Sequence, residues 1–264
     1  MSSYSEGRES APLRRPNLPE GPRIVADDLV VHYGQAGGTS PGLQGFSATF
    51  APGITGLVGT NGAGKTTFLR SACGLMPATS GHIEIQGMPP AAYVAHHGIG
   101  FLPESPVLPT YLTVREFLMG LPPYEVEARE GERERAGERE ARWILLVEKL
   151  LDTSLHALSL GQRKKVALAA ALKGSPHILL LDEPTNGLDP LAERELRQTL
   201  REEQHRGITI VVSSHHLDEL QRVADALVFV RDGRVAGAWS RTDALAGFPS
   251  LEALFDHVFA EGET

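Results

Sequence analysis

The chain has 264 residues, 41% of them hydrophobic, and carries 33 acidic against 25 basic side chains for a formal net charge of −8. That balance excludes a general nucleic-acid surface, which needs a concentrated excess of Lys and Arg to displace counterions, while the hydrophobic share allows one substantial core or two smaller ones. The single cysteine, Cys73, excludes an internal disulfide and a Cys-based metal site, and no stretch offers the roughly 18 consecutive apolar residues of a membrane span.

Residues 1–23, "MSSYSEGRESAPLRRPNLPEGPR", are rich in Ser, Pro, Glu and Arg. Such a segment buries too little apolar surface to offset its ordering entropy, which predicts a disordered tail, and it lacks the apolar core of a signal peptide. Over 24–264 strand-like runs alternate with helical patterns: "IVADDLVVHY", "GFSATF", "GITGLVG", "HIEIQG", "GIGFLP", "HILLLDEP", "GITIVVSSH" and "DALVFVRDGRVAGAW" read as strands. A mixed α/β fold follows. "ILLL" and "ITIVV" are apolar without alternation, as strands covered on both faces must be, and belong at the centre of a parallel sheet. The other runs fit a more exposed antiparallel portion.

The third run leads into "GLVGTNGAGKTTFLR", where Gly59, Gly64, Lys65 and Thr66 stand in the G-x-x-x-x-G-K-[ST] pattern between a strand and a helical run. Glycines at Gly62 and Gly64 let successive amides turn toward one concavity, the helix start adds its positive end, and Lys65 brings a mobile cation for the β- and γ-phosphates of a nucleotide. Thr66 then supplies a hydroxyl for Mg²⁺. Between Thr110 and Leu158 no strand pattern occurs, whereas "TVREFLMG" and "ARWILLVEKLL" have helical periodicity, so a helical insertion is predicted over about 105–162. Its mixed-charge run "EVEAREGERERAGERE", with Glu138 and Arg142 at i, i+4, reads as a solvated face.

Ser159 and Gln162 stand at the spacing of a capping box that opens a helix through "LGQRKKVALAAAL". "HILLLDEP" ends its buried strand on Asp182 and Glu183, at the carboxyl edge where open α/β sheets bind ligands. Asp182 suits a Mg²⁺-holding acid, which leaves Glu183 to polarise an attacking water as general base. His215 and His216 are expected on opposite sides of an extended segment, which disfavours one shared ion, and no metal-ligand spacing accompanies His96 and His97. Leu251, Leu254, Phe255, Val258 and Phe259 form the apolar stripe of a C-terminal helix over about 250–260.

Over roughly Ile24 to Phe259 these residues resemble the nucleotide-binding subunit of an ATP-binding cassette (ABC) transporter. The resemblance implies a P-loop NTPase core with a mainly parallel central sheet, an antiparallel β portion and an inserted helical subdomain. In the phosphate loop Gly59, Asn61, Gly62, Ala63, Gly64, Lys65, Thr66 and Thr67 match the family's nucleotide contacts, and Tyr33 resembles its adenine-stacking aromatic. "LSLGQ" at Leu158 to Gln162 matches the signature that, through Ser159, Gly161 and Gln162, faces the γ-phosphate held by a second subunit. Asp189 in "NGLD" resembles the acid that communicates between the two sites, and His215 the switch histidine that contacts the γ-phosphate. Two positions depart from the pattern: Leu160 replaces the usual signature glycine, which implies altered packing, and Glu104 stands where a glutamine more often senses Mg²⁺. Glutamate at that position is similar to a branch of exporter ATPases.

What the resemblance implies is a Mg²⁺-dependent ATPase with catalytic Glu183 and His215 and metal ligands Thr66, Glu104 and Asp182. It would pair with a second nucleotide-binding subunit as a homodimer and energise export through separate transmembrane permease subunits at the cytoplasmic face of the membrane, with no nucleic acid. The alternative is a soluble ABC ATPase driving an assembly or repair complex.

Overall fold

The strand runs pair into two sheets whose facing sides enclose the first helix. In the computed structural model, which describes residues 21, 23–33, 40–121 and 147–260, β1 (Ile24–Tyr33), β2 (Ser40–Phe50) and β4 (Ser80–Ile85) form an antiparallel sheet in the order β2-β1-β4. The larger sheet holds β3 (Gly53–Val58), β5 (Gly100–Leu102), β6 (Ile178–Asp182), β7 (Thr209–Ser214), β8 (Ala226–Arg231) and β9 (Arg234–Ser240) in the order β5-β6-β7-β3-β8-β9. Its strands run parallel except β9, which folds back on β8 through Asp232 and Gly233, both at positive φ, the backbone that a two-residue hairpin turn demands.

Alternation explains why the central runs are apolar throughout. Ile178, Leu180 and Val211 point into the core shared with the small sheet, while Leu179, Leu181, Ile210 and Val212 point into the core on the other face, as a period of two requires for a sheet covered on both sides. The expectation that the other runs form an antiparallel portion holds for β1, β2 and β4 but not for β3, β5 and β8, which are parallel members of the large sheet. Thr55 and Gly56 disguise β3. A Cβ on Gly56 would lie 2.9 Å from both Leu220 and Leu227, so the gap in hydrophobicity marks close packing, not exposure.

Helix α1 (Lys65–Ala72) sits between the sheets. Its Phe68 stacks on Phe46 and Phe50 of β2 with ring centroids 4.6 and 4.7 Å away. Helix α2 (Pro90–His97) follows β4, and burial near it pushes the thiol of Cys73 up to about 12. The opposite face of the large sheet is covered by α4 (Leu160–Leu172), α5 (Pro190–Gln204), α6 (Leu217–Val223) and α8 (Leu251–Ala260) through Val166, Leu196, Leu200, Leu220, Leu254 and Val258. α7 (Arg241–Gly247) precedes α8, in which Leu251, Leu254 and Val258 are buried while Phe255 and Phe259 stack on each other at 4.2 Å against the same core.

The described part of the insertion contains α3 (Val114–Gly120), opened by a capping box of Thr113 and Glu116, and short 3-10 turns at Glu148–Leu150 and Leu155–Ala157. An isolated bridge joins Thr113 to Ser154. The tail up to Glu20, the mixed-charge run with its Glu138–Arg142 pair, and the segment from Ala141 to Leu146 lie outside the described residues. No helix among the described residues is long and apolar enough to cross a membrane.

Because α1 is seated by one aromatic stack, Phe68→Ala is expected to cost about 3–5 kcal/mol. Urea unfolding monitored by circular dichroism measures it; a loss under about 1 kcal/mol would mean that other contacts seat the helix.

Candidate functional site

Strand register brings the polar residues together. Asp182 pairs with Ser213, and Val58 with Ser214, so the chain leaves β3, β6 and β7 along one line at the carboxyl edge of the large sheet. From β3 it enters the loop Gly59–Gly64 and then α1. Gly62 and Gly64 adopt φ of +81° and +111°, left-handed values that other residues reach only with strain. Phe68 N–H donates to Gly64 O at 3.0 Å, which leaves the amides of the first turn without intrahelical acceptors beside exposed Asn61 and Gly62. Lys65, only 6% exposed, folds back over this loop and donates Nζ to Gly59 O at 2.7 Å and Thr60 O at 3.2 Å. Those are borrowed acceptors; a phosphate in the concavity would offer the ammonium an anionic one.

Asp182 and Glu183 end β6 with 1% and 5% of their surface exposed. Asp182 accepts from Ser213 Oγ at 2.6 Å and from Thr66 Oγ1 at 2.8 Å. A hydroxyl and a carboxylate in contact at a helix start are hard oxygen donors and fit a Mg²⁺ ion. Glu183 has a φ of +45°, which costs a non-glycine residue about 1–3 kcal/mol and persists only where surroundings over-determine it. Here its N–H donates to Ser213 Oγ at 3.0 Å, its carbonyl accepts Lys164 Nζ at 2.6 Å, and its carboxylate lies 3.5 Å from Lys65 Nζ and 2.9 Å from His215 Nδ1. A carboxylate can only accept, so Nδ1 of His215 carries the hydrogen. A half-fixed carboxylate at the mouth of an anion cradle can take a proton from a bound water.

His215 and His216 do not diverge as an extended segment would require: their rings lie 3.9 Å apart, centroid to centroid. The strand ends at Ser214, and the chain is already turning into α6 at Leu217, so strand alternation no longer applies. Tyr33 reaches the same neighbourhood, its hydroxyl 2.7 Å from Thr67 Oγ1 and 38% of the residue's surface exposed. Glu104, two residues beyond β5, is exposed and shares no hydrogen bond with Thr66 or Asp182 among the described contacts; its charge acts on buried Lys164.

A second group forms at the start of α4. Ser159 N–H donates to Gln162 Oε1 at 2.9 Å and Ser159 Oγ accepts Gln162 N–H at 3.3 Å, the reciprocal box. This turn rests on the loop before α5: a Cβ on Gly187 would lie 3.0 Å from Leu160 Cδ2, and one on Gly161 would lie 3.2 Å from Gly187 O. Asp189 caps α5, accepting from Leu191 N–H at 3.0 Å and Ala192 N–H at 2.9 Å. The amide of Ala192, more than any other neighbour, holds its carboxyl below the usual carboxylate range. Ser159, Leu160, Gly161, Gln162, Gly187 and Asp189 line one side of an open groove of about 1040 Å³, and Leu160 leaves 58% of its surface exposed there. Sequence reasoning passes over Ser213, which looks like strand filler, and Lys164, which looks like one of two interchangeable surface lysines. A serine at the end of an otherwise apolar strand is the available sign for the first.

Residues 43–186 match the family described as ABC transporter. Among similar curated proteins, the lipopolysaccharide export system ATP-binding protein LptB of Acidithiobacillus ferridurans is 33% identical over 195 residues, 71% of this chain and 78% of that one. The Nod factor export ATP-binding protein I of Rhizobium meliloti is 36% identical over 201 residues, which is 75% of this chain but 59% of the relative's length. Among solved structures, an ATP-binding subunit of an ABC transporter superposes with a TM-score of 0.73 at 29% identity, covering 89% of this chain and 98% of the other. A dimeric ATP-binding cassette in a post-hydrolysis state bound to ADP and Pi gives 0.70 at 23% identity, covering 83% and 98%. That likeness is one of fold.

The loop geometry separates two glycines. Around Gly62 a Cβ would meet nothing within 4 Å, whereas at Gly64 it would lie 2.7 Å from Gly42 O. Gly62→Ala is therefore expected to cost only the left-handed penalty of about 1–2 kcal/mol, and Gly64→Ala distinctly more. Denaturant titration of both variants checks the order; equal losses would contradict the loop geometry.

Proposed function

The chain belongs to the ABC transporter family as an ATP-binding subunit, and on that premise we propose that it hydrolyses ATP at the carboxyl edge of its large sheet, as one of a pair of identical chains that drives export through separate membrane subunits. One observation carries this reading: the carboxylate of Glu183 lies between Lys65 Nζ and His215 Nδ1, 3.5 and 2.9 Å away, at the mouth of the phosphate loop.

In this reading the first-turn amides of α1 and Lys65 hold the β- and γ-phosphates, with Tyr33 beside the base, and Thr66 and Asp182 hold Mg²⁺. Mg²⁺ held by these two side chains would supply charge neutralisation for the transferring phosphoryl group. Glu183 accepts the proton of a water whose oxygen bonds to the γ-phosphorus as the bond to the β,γ-bridging oxygen breaks, leaving ADP and phosphate. His215 keeps the carboxylate aimed by donating Nδ1–H to it. Phosphate arriving beside Lys65 draws the ammonium from the carbonyls of Gly59 and Thr60, so substrate binding and the freeing of Glu183 from its ion pair coincide.

Ser159, Gly161 and Gln162 face a groove, not the phosphate loop of their own chain, and an exposed helix start is a natural anion contact. We assign them to the ATP held by a second copy, with Asp189 and the Gly187 loop against the same interface. The dimeric state of a cassette with the same fold supports this pairing. The export roles of the two relatives, together with Glu104 in place of glutamine, support the direction of transport. Docking on membrane subunits would place the chain peripherally at the cytoplasmic face.

Glu183→Gln is expected to leave ATP binding intact while slowing turnover by on the order of a hundredfold or more, and to trap an ATP-dependent dimer. Adding Ser159→Arg should abolish that dimer, since loss of the cap alone costs about 0.5–2 kcal/mol and leaves the monomer folded. Size-exclusion chromatography with ATP and thermal melts distinguish the two effects. A Ser159→Arg chain that dimerises as readily as its parent would contradict the shared site; a Glu183→Gln chain with near-normal turnover would remove the base.

A further inference from the structure

Lys164 lies on α4 with 2% of its surface exposed. A buried ammonium is expensive unless its surroundings compensate it, and the described hydrogen bond of this one goes to no carboxylate. It runs to the main-chain carbonyl of Glu183, at 2.6 Å. Burial draws the ammonium below its ordinary range, while the charges of Glu104, Glu183, Asp182 and Glu219, Glu104 first among them, act in the opposite sense. An apolar residue would fill a core position on α4 without needing four acids around it, so the cation calls for a reason beyond packing.

Glu183 supplies one. At φ +45° it holds a conformation that glutamate adopts only under constraint, and its carboxylate direction depends on the peptide planes on either side. The N–H plane is fixed by Ser213 Oγ at 3.0 Å. The carbonyl plane is fixed by Lys164 at 2.6 Å, against a longer contact from Asn186 N–H at 3.3 Å. We propose that Lys164 is a positioning residue for hydrolysis: by gripping the carbonyl of Glu183 it keeps the left-handed turn that aims the carboxylate between Lys65 and His215. The inference rests on the hydrolytic role of Glu183 given above. It also makes α4 a rigid link, since the helix that presents Ser159 to a second copy carries, about one and a half turns further on, the grip on its own chain's base.

The test is a double-mutant cycle on the full chain, reading single-turnover ATP hydrolysis and ATP affinity for wild type, Lys164→Met, Glu183→Gln and the double variant. A group that acts through Glu183 has nothing left to position once that carboxylate is gone. Lys164→Met is expected to slow hydrolysis on the order of ten- to a hundredfold, as misplacement of a catalytic group does, with affinity changed less than about twofold and no further slowing in the Glu183→Gln background. Lys164→Gln, which keeps a donor, is expected to recover the larger part of the rate. Equal slowing in both backgrounds, or a Lys164→Met chain as fast as wild type, overturns the positioning role. A wild-type chain no faster than Glu183→Gln removes the hydrolytic reading instead, and the inference with it. Should Lys164→Met fail to fold, Lys164→Leu, which also removes the donor, replaces it in the cycle: slowing only where Glu183 is present supports the role, and equal slowing or none overturns it.

Discussion

Asp182 and Glu183, consecutive carboxyl groups with 1% and 5% of their surface exposed, would be costly at the end of a buried strand without the hydrogen-bond donors and cations that surround them. Thr66 and Ser213 satisfy the first; Lys65 and His215 flank the second, and Lys164 fixes its backbone. These partners come from α1, from β7 and the turn that follows it, and from α4, so the arrangement ties α1, α4, β6 and β7 into one unit. The carboxylates therefore organise the edge of the sheet as much as they occupy it.

Parallel topology is what makes such convergence possible. β6, β7 and β3 lie side by side and end together, and each of them runs on into a polar loop or helix start rather than a hairpin. The aromatic stack of Phe46, Phe50 and Phe68 holds α1 against the small sheet, and the hydroxyl of Tyr33 on that sheet meets Thr67 of the same helix. Covering the other face with α4, α5 and α6 brings the signature turn and the Asp189 cap against one another, facing outward. In the proposed function, the phosphate loop and this separate exposed helix start are the two half-sites that pairing would bring together.

The sequence carries much of this because backbone demands leave strong marks. Gly59 to Thr66 announce the loop, Ser159 and Gln162 the capping box, and the unbroken apolar runs of β6 and β7 their central place. It misleads where one property stands in for another. Gly56 lowers the apparent hydrophobicity of β3, although its missing side chain makes room for Leu220 and Leu227. Strand alternation, applied to His215 and His216, is carried past the point where the strand stops. Lys164 and Lys165 look alike in "GQRKKV", yet one is buried against Glu183 O and the other pairs with Glu195 at 2.7 Å. A helix's register relative to its neighbours decides between those fates, and tertiary packing sets that register.

The most direct measurement of the central claim is a crystal structure of the wild-type chain with Mg²⁺ and a non-hydrolysable ATP analogue. The account predicts the terminal phosphate in the cradle of Gly59 to Thr66, Lys65 Nζ moved from the carbonyls of Gly59 and Thr60 to phosphate oxygens, and a water within hydrogen-bond reach of Glu183 and in line with the γ-phosphorus. It further predicts Ser159 of a second copy against the same phosphate. A nucleotide bound with Lys65 still on its two carbonyls, or with Glu183 turned away from the terminal phosphate, would contradict it.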